Sequence, residues 1–201
     1  MIAIIDYGAG NLKSVNHALK SLSLESEITS NPDHLFDANA FILPGVGAFR
    51  DAMDELTRLN LVDAIKENAQ LGKPILGICL GMQLFFEKSY EHGEWKGLHL
   101  LEGEVVRFNH DLKVPHIGWN QLEKATTCRI TDKLAENEYA YFVHSYYVLP
   151  KKKEDVICWT NYGVKFPAIV QKDNIIGMQF HPEKSGETGV KLLQAFGEMI
   201  K

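Results

Sequence analysis

Pro74-Ile75-Leu76-Gly77-Ile78-Cys79-Leu80-Gly81-Met82-Gln83 decides the fold. A short apolar strand runs into a cysteine flanked by glycines, and a helical sequence follows directly. A G-x-C-x-G turn of this kind is the cysteine counterpart of the nucleophile elbow. The side chain projects from a sharp strand-to-helix turn, and small neighbours are expected to let a substrate approach it. The helix beginning near Leu80 and running to about Lys88 would point its dipole at the sulfur. Thiolate is the attacking form of cysteine, and a free thiol with its pKa of about 8.5 needs such help at neutral pH. Against this stands the bland alternative, a small core cysteine at a strand end.

Working outward, strand and helix alternate through the first half. Ile2 to Ile5 reads as a buried strand, and Leu12, Val15, Leu19 and Leu22 mark one face of a helix. Glu27 to Thr29 is a weak strand and Ala40 to Leu43 a clear one, followed by helical patterns over Ala48 to Leu56 and Leu61 to Ala69. Gly72, before Lys73-Pro74, stops the second of these. This rhythm implies an α/β fold with a mostly parallel sheet and helices on both faces. Sites in such sheets form at the carboxyl ends of strands, where Asp6, Gly45, Cys79 and His181 fall.

The second half has short β-like runs separated by turn signals, some expected to pair antiparallel. They are Val105 to Phe108, Tyr139 to His144, Val156 to Thr160, Ala168 to Val170 and Ile175 to Phe180. Thr188 to Ile200 closes the chain as an amphipathic helix. The run Lys151-Lys152-Lys153-Glu154-Asp155 is expected to be a solvated turn. No repeat or linker interrupts the 201 residues, which suit one domain over 1–201.

Phe180-His181-Pro182-Glu183 follows the last of these strands. It offers an imidazole as proton relay and, two residues on, a carboxylate to hold the ring's tautomer. Cys79, His181 and Glu183 thus form a candidate triad for acyl transfer. Such chemistry needs an oxyanion hole. The glycine-rich Pro44-Gly45-Val46-Gly47, directly after an apolar strand, offers backbone N–H groups, with the N–H of Leu80 as the second donor. An ordinary turn would use glycines too. Gln83, one turn into the helix behind Cys79, is expected to face the substrate.

Other chemistries find little support. Gly8-Ala9-Gly10 lacks the third glycine of a dinucleotide fingerprint, because Lys13 stands there, and no acid ends the next strand. Gly72-Lys73 lacks the spacing of a phosphate loop. Histidines are scattered away from cysteines, so neither a metal nor a cofactor is expected. A net charge of −5 argues against a nucleic-acid binder. Three unpaired cysteines point to a reducing compartment, and no apolar run is long enough for a membrane span. With a strand starting at Ile2 there is no room for a signal peptide, and a cytoplasmic location is expected.

Pro44-Gly45-Val46-Gly47, Gly77 to Gln83 and His181-Pro182-Glu183 together resemble the class I (triad) glutamine amidotransferases. Four further stretches are similar to the glutaminase subunits of imidazole glycerol phosphate synthases. They are Asp6 to Asn11, Pro115-His116-Ile117-Gly118-Trp119-Asn120, Tyr141 to Tyr146 and Met178 to Ser185. The resemblance runs from residue 2 to the C-terminus and implies a flavodoxin-like sheet and a glutaminase. It implies that Gln83, Glu91 and the segment His144-Ser145-Tyr146 contact glutamine; Glu91 lies in a loop-like stretch, and His144 has no catalytic role. It places Trp119, Asn120 and Tyr141 against a partner, a (β/α)₈-barrel cyclase subunit that receives ammonia in a heterodimer. An aromatic and amide cluster fits interface anchoring, although a lone Trp more often packs in a core. Gly45-Val46-Gly47 would be the element a partner switches, since glycine tolerates a peptide flip. A different synthase acceptor, a non-catalytic binding module and a peptidase with the same elbow stay open.

Overall fold

A computed structural model describes residues 1–200. The first half holds β1 (Ile2–Ile5), α1 (Leu12–Ser21), β2 (Ser26–Thr29), α2 (Pro32–Asp37), β3 (Ala40–Gly45), α3 (Phe49–Arg58), α4 (Leu61–Gln70), β4 (Ile75–Cys79) and α5 (Leu80–Leu84). Nine strands follow: β5 (Lys88–Ser89), β6 (Trp95–Lys96), β7 (Gly103–Arg107), β8 (His116–Gln121), β9 (Glu123–Lys124), β10 (Tyr139–His144), β11 (Tyr146–Pro150), β12 (Val156–Tyr162) and β13 (Val164–Lys172). Then come β14 (Ile175–Met178) and α6 (Gly186–Glu198).

An eight-stranded sheet in the order β2-β1-β3-β4-β14-β13-β12-β9 forms the centre. Its β2-to-β14 half is parallel, and the strands beyond β14 pair antiparallel. Of these parallel strands β1, β3, β4 and β14 are buried on both faces, as βαβ crossovers require, while the edge strand β2 stays partly exposed. Alternate residues therefore feed two cores. Ile2, Ile4, Ile42, Leu76 and Ile78 pack with Val15 and Leu19 of α1 and with Leu192 and Phe196 of α6. Ala3, Ile5, Phe41, Leu43 and Ile75 pack instead with Leu35 of α2, Phe49 and Leu56 of α3, and Leu61 and Ile65 of α4. Helices thus cover both faces, as the strand–helix rhythm implied.

Local chemistry sets the boundaries. Asn11 accepts a hydrogen bond from the Ser14 N–H at the start of α1, and Asn31 caps α2 ahead of Pro32. Gly72 takes a left-handed φ of +80° just past α4, where a Cβ would be strained.

Two small sheets, β10-β8 and β11-β7-β5-β6, lie outside the main one. The β8–β10 ribbon buries His116, Ala140, Phe142 and His144 on one side. Its other side exposes Ile117, Trp119 and Tyr139. Several elements depart from expectation. The helix after Cys79 stops at Leu84 rather than near Lys88, because the chain turns at Phe85–Phe86, whose buried rings fill the second core. α2 and strands β5, β6, β8, β9 and β11 carry too few residues, or too mixed a pattern, to stand out by periodicity. Lys151 and Lys152 flank Glu102 as exposed ion pairs, which suits a solvated turn. No helix among the described residues is long and apolar enough to cross a membrane.

Candidate active site

Cys79 ends β4 with φ +55° and ψ −109°, a region an L-residue rarely occupies. Such strain costs on the order of 1–3 kcal/mol and persists only where the surroundings enforce it. The flanking glycines explain how. A Cβ on Gly81 would lie 1.8 Å from the Leu43 carbonyl oxygen, and one on Gly77 would lie 2.5 Å from the Phe85 ring. Their smallness therefore lets α5 fold back onto β3 and β4. This corrects the expectation that they serve substrate approach. α5 has five residues, so only its first-turn N–H groups are offered near the sulfur, among them that of Leu80.

His181 follows β14, the parallel neighbour of β4, and so arrives beside Cys79. Its Nδ1 lies 3.0 Å from Glu183 Oε1, and both side chains are almost wholly buried. Burial alone would lower the imidazole pKa. The neighbouring Cys79 sulfur and the hydrogen-bonded Glu183 carboxylate outweigh it and push the value up to about 9. The ring is thus held as a proton carrier between sulfur and carboxylate. The turn itself is braced by Tyr141, whose carbonyl accepts the His181 N–H at 3.0 Å. Ser185 Oγ donates to the His181 carbonyl at 2.7 Å and accepts the Tyr141 N–H at 3.0 Å.

A cavity of ≈ 310 Å³ opens at this point, lined by Val46, Gly47, Cys79, Leu80, Gln83, Glu91, Pro115, Val143, His144, Ser145, Tyr146, His181 and Lys184. It gathers most of the predicted site residues. Gly45 lies beneath it, since a Cβ there would meet Tyr7 Oη at 2.5 Å and Leu80 Cβ at 2.9 Å. Tyr7 Oη donates to the Pro44 carbonyl at 2.8 Å and pins that end of the loop. Gly47, by contrast, has a φ of +98° and open space around it. Gln83 is buried rather than a surface helix residue. Its Nε2 donates to the Tyr146 carbonyl at 2.9 Å and to Gln179 Oε1 at 3.1 Å. Glu91 lines the cavity while its Oε2 accepts the Phe49 N–H at 2.6 Å, capping α3. Cys79 Sγ lies 3.7 Å from the Val143 carbonyl and accepts from Gln179 Nε2 at 3.8 Å.

Trp119 and Tyr141 stand outside the cavity, paired edge-to-face across β8 and β10 with centroids 6.0 Å apart. Trp119 is 57% exposed. Asn120 is turned inward instead, its Nδ2 donating to the Asn161 carbonyl at 2.8 Å. Gln179, Pro115, Val143 and Lys184 were missed by sequence reasoning. A polar Gln179 in the otherwise apolar strand region Ile175 to Phe180 was the one legible signal. Among the described residues no group of three or more His, Cys, Asp or Glu side chains is placed to hold a metal ion.

A buried cysteine on an elbow, an imidazole–carboxylate pair beside it and a glycine loop at the neighbouring strand end are the parts of an acyl-transfer enzyme. Residues 3–199 match the family model "Glutamine amidotransferase class-I", and the chain belongs to that family. Within it the chain is similar to the imidazole glycerol phosphate synthase subunit HisH of Oceanobacillus iheyensis, 53% identical over 201 residues and covering 100% of both chains. HisH of Lactococcus lactis is 52% identical over 200 residues, covering 99% of this chain and 98% of its own. Among solved structures, PurLQS from Thermotoga maritima superposes with a TM-score of 0.80 at 22% identity, covering 100% of this chain and 98% of that one. At that identity the likeness speaks for the fold.

Proposed function

We propose that this chain hydrolyses glutamine to glutamate and ammonia as the glutaminase subunit of an imidazole glycerol phosphate synthase. The observation that carries this is the buried His181–Glu183 pair beside the strained Cys79, in a chain alike to HisH subunits along its whole length. Chemically, the Cys79 sulfur attacks the side-chain carboxamide carbon of glutamine. N–H groups of Val46, Gly47 and Leu80 hold the resulting oxyanion. His181 passes its proton to the departing ammonia, leaving a γ-glutamyl thioester, and then activates the water that releases glutamate. Glu183 keeps the ring oriented throughout.

Substrate binding falls to Gln83, Glu91 and the His144-Ser145-Tyr146 segment. Both Gln83 N–H groups are taken inside the protein, which turns its Oε1 toward the cavity as an acceptor for the substrate's ammonium. Ammonia passes to a (β/α)₈-barrel cyclase subunit in a heterodimer. There it converts the phosphoribulosyl aminoimidazole carboxamide precursor to imidazole glycerol phosphate and AICAR. The exposed Trp119 with half-buried Tyr141 beside it, and Asn120 bracing β8 from behind, supports the barrel docking on the β8–β10 ribbon. Because Tyr7 pins Pro44 and packing confines Gly45, partner gating would act on the Val46–Gly47 peptides alone. The chain functions as one domain over 1–201, in the cytoplasm.

Glutamate release is measured with purified chain, with and without the cyclase subunit loaded with its acceptor nucleotide. Strong release only in the complex is expected. Equal rates with and without the partner would remove the gating, and no release in either would remove the glutaminase assignment.

A further inference from the structure

A line of polar groups, half-buried at Asn120 and buried from His116 inward except at half-buried Tyr146, leads from the back of the Trp119 strand to the nucleophile. Asn120 Nδ2 lies 3.4 Å from His116 Nε2, the loosest link. His116 Nδ1 lies 3.1 Å from His144 Nε2, and His144 Nδ1 lies 2.8 Å from the Tyr146 carbonyl oxygen. That oxygen also accepts from Gln83 Nε2, which reaches Gln179 Oε1, and Gln179 Nε2 reaches Cys79 Sγ.

The proton positions along this line follow from the donor and acceptor inventory alone. A carbonyl oxygen only accepts, so His144 carries its proton on Nδ1 and, while neutral, accepts at Nε2. His116 must then donate from Nδ1 and accept at Nε2. Asn120 Nδ2 supplies that last donor. Its Oδ1 is occupied by the Gln121 N–H at 2.8 Å, which opposes an amide flip. One arrangement satisfies every member, and a second proton on His144 would reverse the chain against Asn120. Burial agrees with this neutrality: it lowers the His144 pKa to about 3 and the His116 pKa to about 4. The rings of Phe142 and Tyr162 stack on His116, leaving it two polar directions.

We propose that His116 is a positioning residue for glutamine: through His144 it fixes the Tyr146 carbonyl and, from there, the Gln83 amide and the sulfur of Cys79. This rests on the glutaminase assignment above. It adds a connection from the partner-facing ribbon to the substrate wall whose hydrogen bonds share one polarity from Asn120 to the Tyr146 carbonyl, where the Gln83 amide donates from the other side.

Two measurements test it on the complex with the cyclase subunit. Long-range ¹H–¹⁵N spectra of the unaltered protein at pH 7 are expected to place both His116 and His144 as neutral Nδ1–H tautomers. An Nε2–H tautomer or an imidazolium at either residue would overturn the proposal. This holds whether or not glutamine is the substrate. In steady-state kinetics, His116→Phe keeps the stacked ring but leaves the His144 Nε2 lone pair without a donor. The expected result is a KM for glutamine raised about tenfold with kcat changed less than about threefold. His116→Asn restores a donor near the Nδ1 position and is expected to recover most of that loss. An unchanged KM in the Phe variant, or equal damage from Phe and Asn, would reduce His116 to a packing residue. Absence of glutaminase activity in the unaltered complex would instead refute the assignment on which the kinetic arm rests.

Discussion

Removing the His181 imidazole should change how stability depends on pH, and the structure sets the size of the effect. The ring's ordinary pKa is 6.5, and in the fold it is pushed up to about 9 by Cys79 and Glu183 against the opposing cost of burial. At roughly 1.4 kcal/mol per pH unit, that gap corresponds to about 3 kcal/mol. The sign follows from proton binding. Between these two values the folded protein holds a proton that the unfolded chain has released, so raising the pH favours unfolding. The stabilisation is whole below pH 6.5 and gone above about pH 9. Urea denaturation from about pH 6 to about pH 9.5 reads this as the difference between the unaltered chain and His181→Asn. That difference should shrink by about 3 kcal/mol across the window. Cys79→Ala removes the sulfur's share and should show a smaller fall. A difference that stays flat, or grows with pH, would refute the buried imidazolium.

Cys79→Ala should also abolish glutamate release while leaving the circular dichroism spectrum intact, because Cys79 contributes a small side chain to the core; surviving turnover would unseat it as nucleophile. Gly81→Ala should cost more than about 3 kcal/mol or prevent soluble expression, since its Cβ would strike the Leu43 backbone. Gly47→Ala meets no atoms and should cost only about 1–2 kcal/mol through its left-handed backbone, so equal urea midpoints for the two variants would contradict the packing account. Trp119→Ala should weaken cyclase binding by about thirtyfold, near 2 kcal/mol, with an unchanged melting temperature. Calorimetric titration giving an unaltered Kd would remove Trp119 from the interface.

Much of this protein was legible before its structure. Runs such as Ile2 to Ile5 and Ile75 to Cys79 are apolar on both faces, so they announce strands buried between two helical layers. Cys79, His181 and Gly45 end such strands, and the parallel sheet brings strand ends together whatever the sequence distance. The ribbon was less visible. His116 to Gln121 mixes polar and aromatic residues because one face meets a core and the other is open, and neither pattern runs long enough to stand out. Five-residue α5 was overestimated because Phe85 and Phe86 continue an apolar pattern without continuing the helix.

The sequence alone determined the layer architecture, the family and the chemistry available at Cys79, His181 and Glu183, because these depend on residue type and local spacing. Only the tertiary structure decided what each polar group faces. Gln83 turned out buried with both N–H groups engaged, Asn120 points inward while Trp119 points out, and His116 meets His144 across 28 positions. A hydrogen bond is set by direction and distance between strands whose relative placement comes from packing, and no local pattern in the chain encodes that placement.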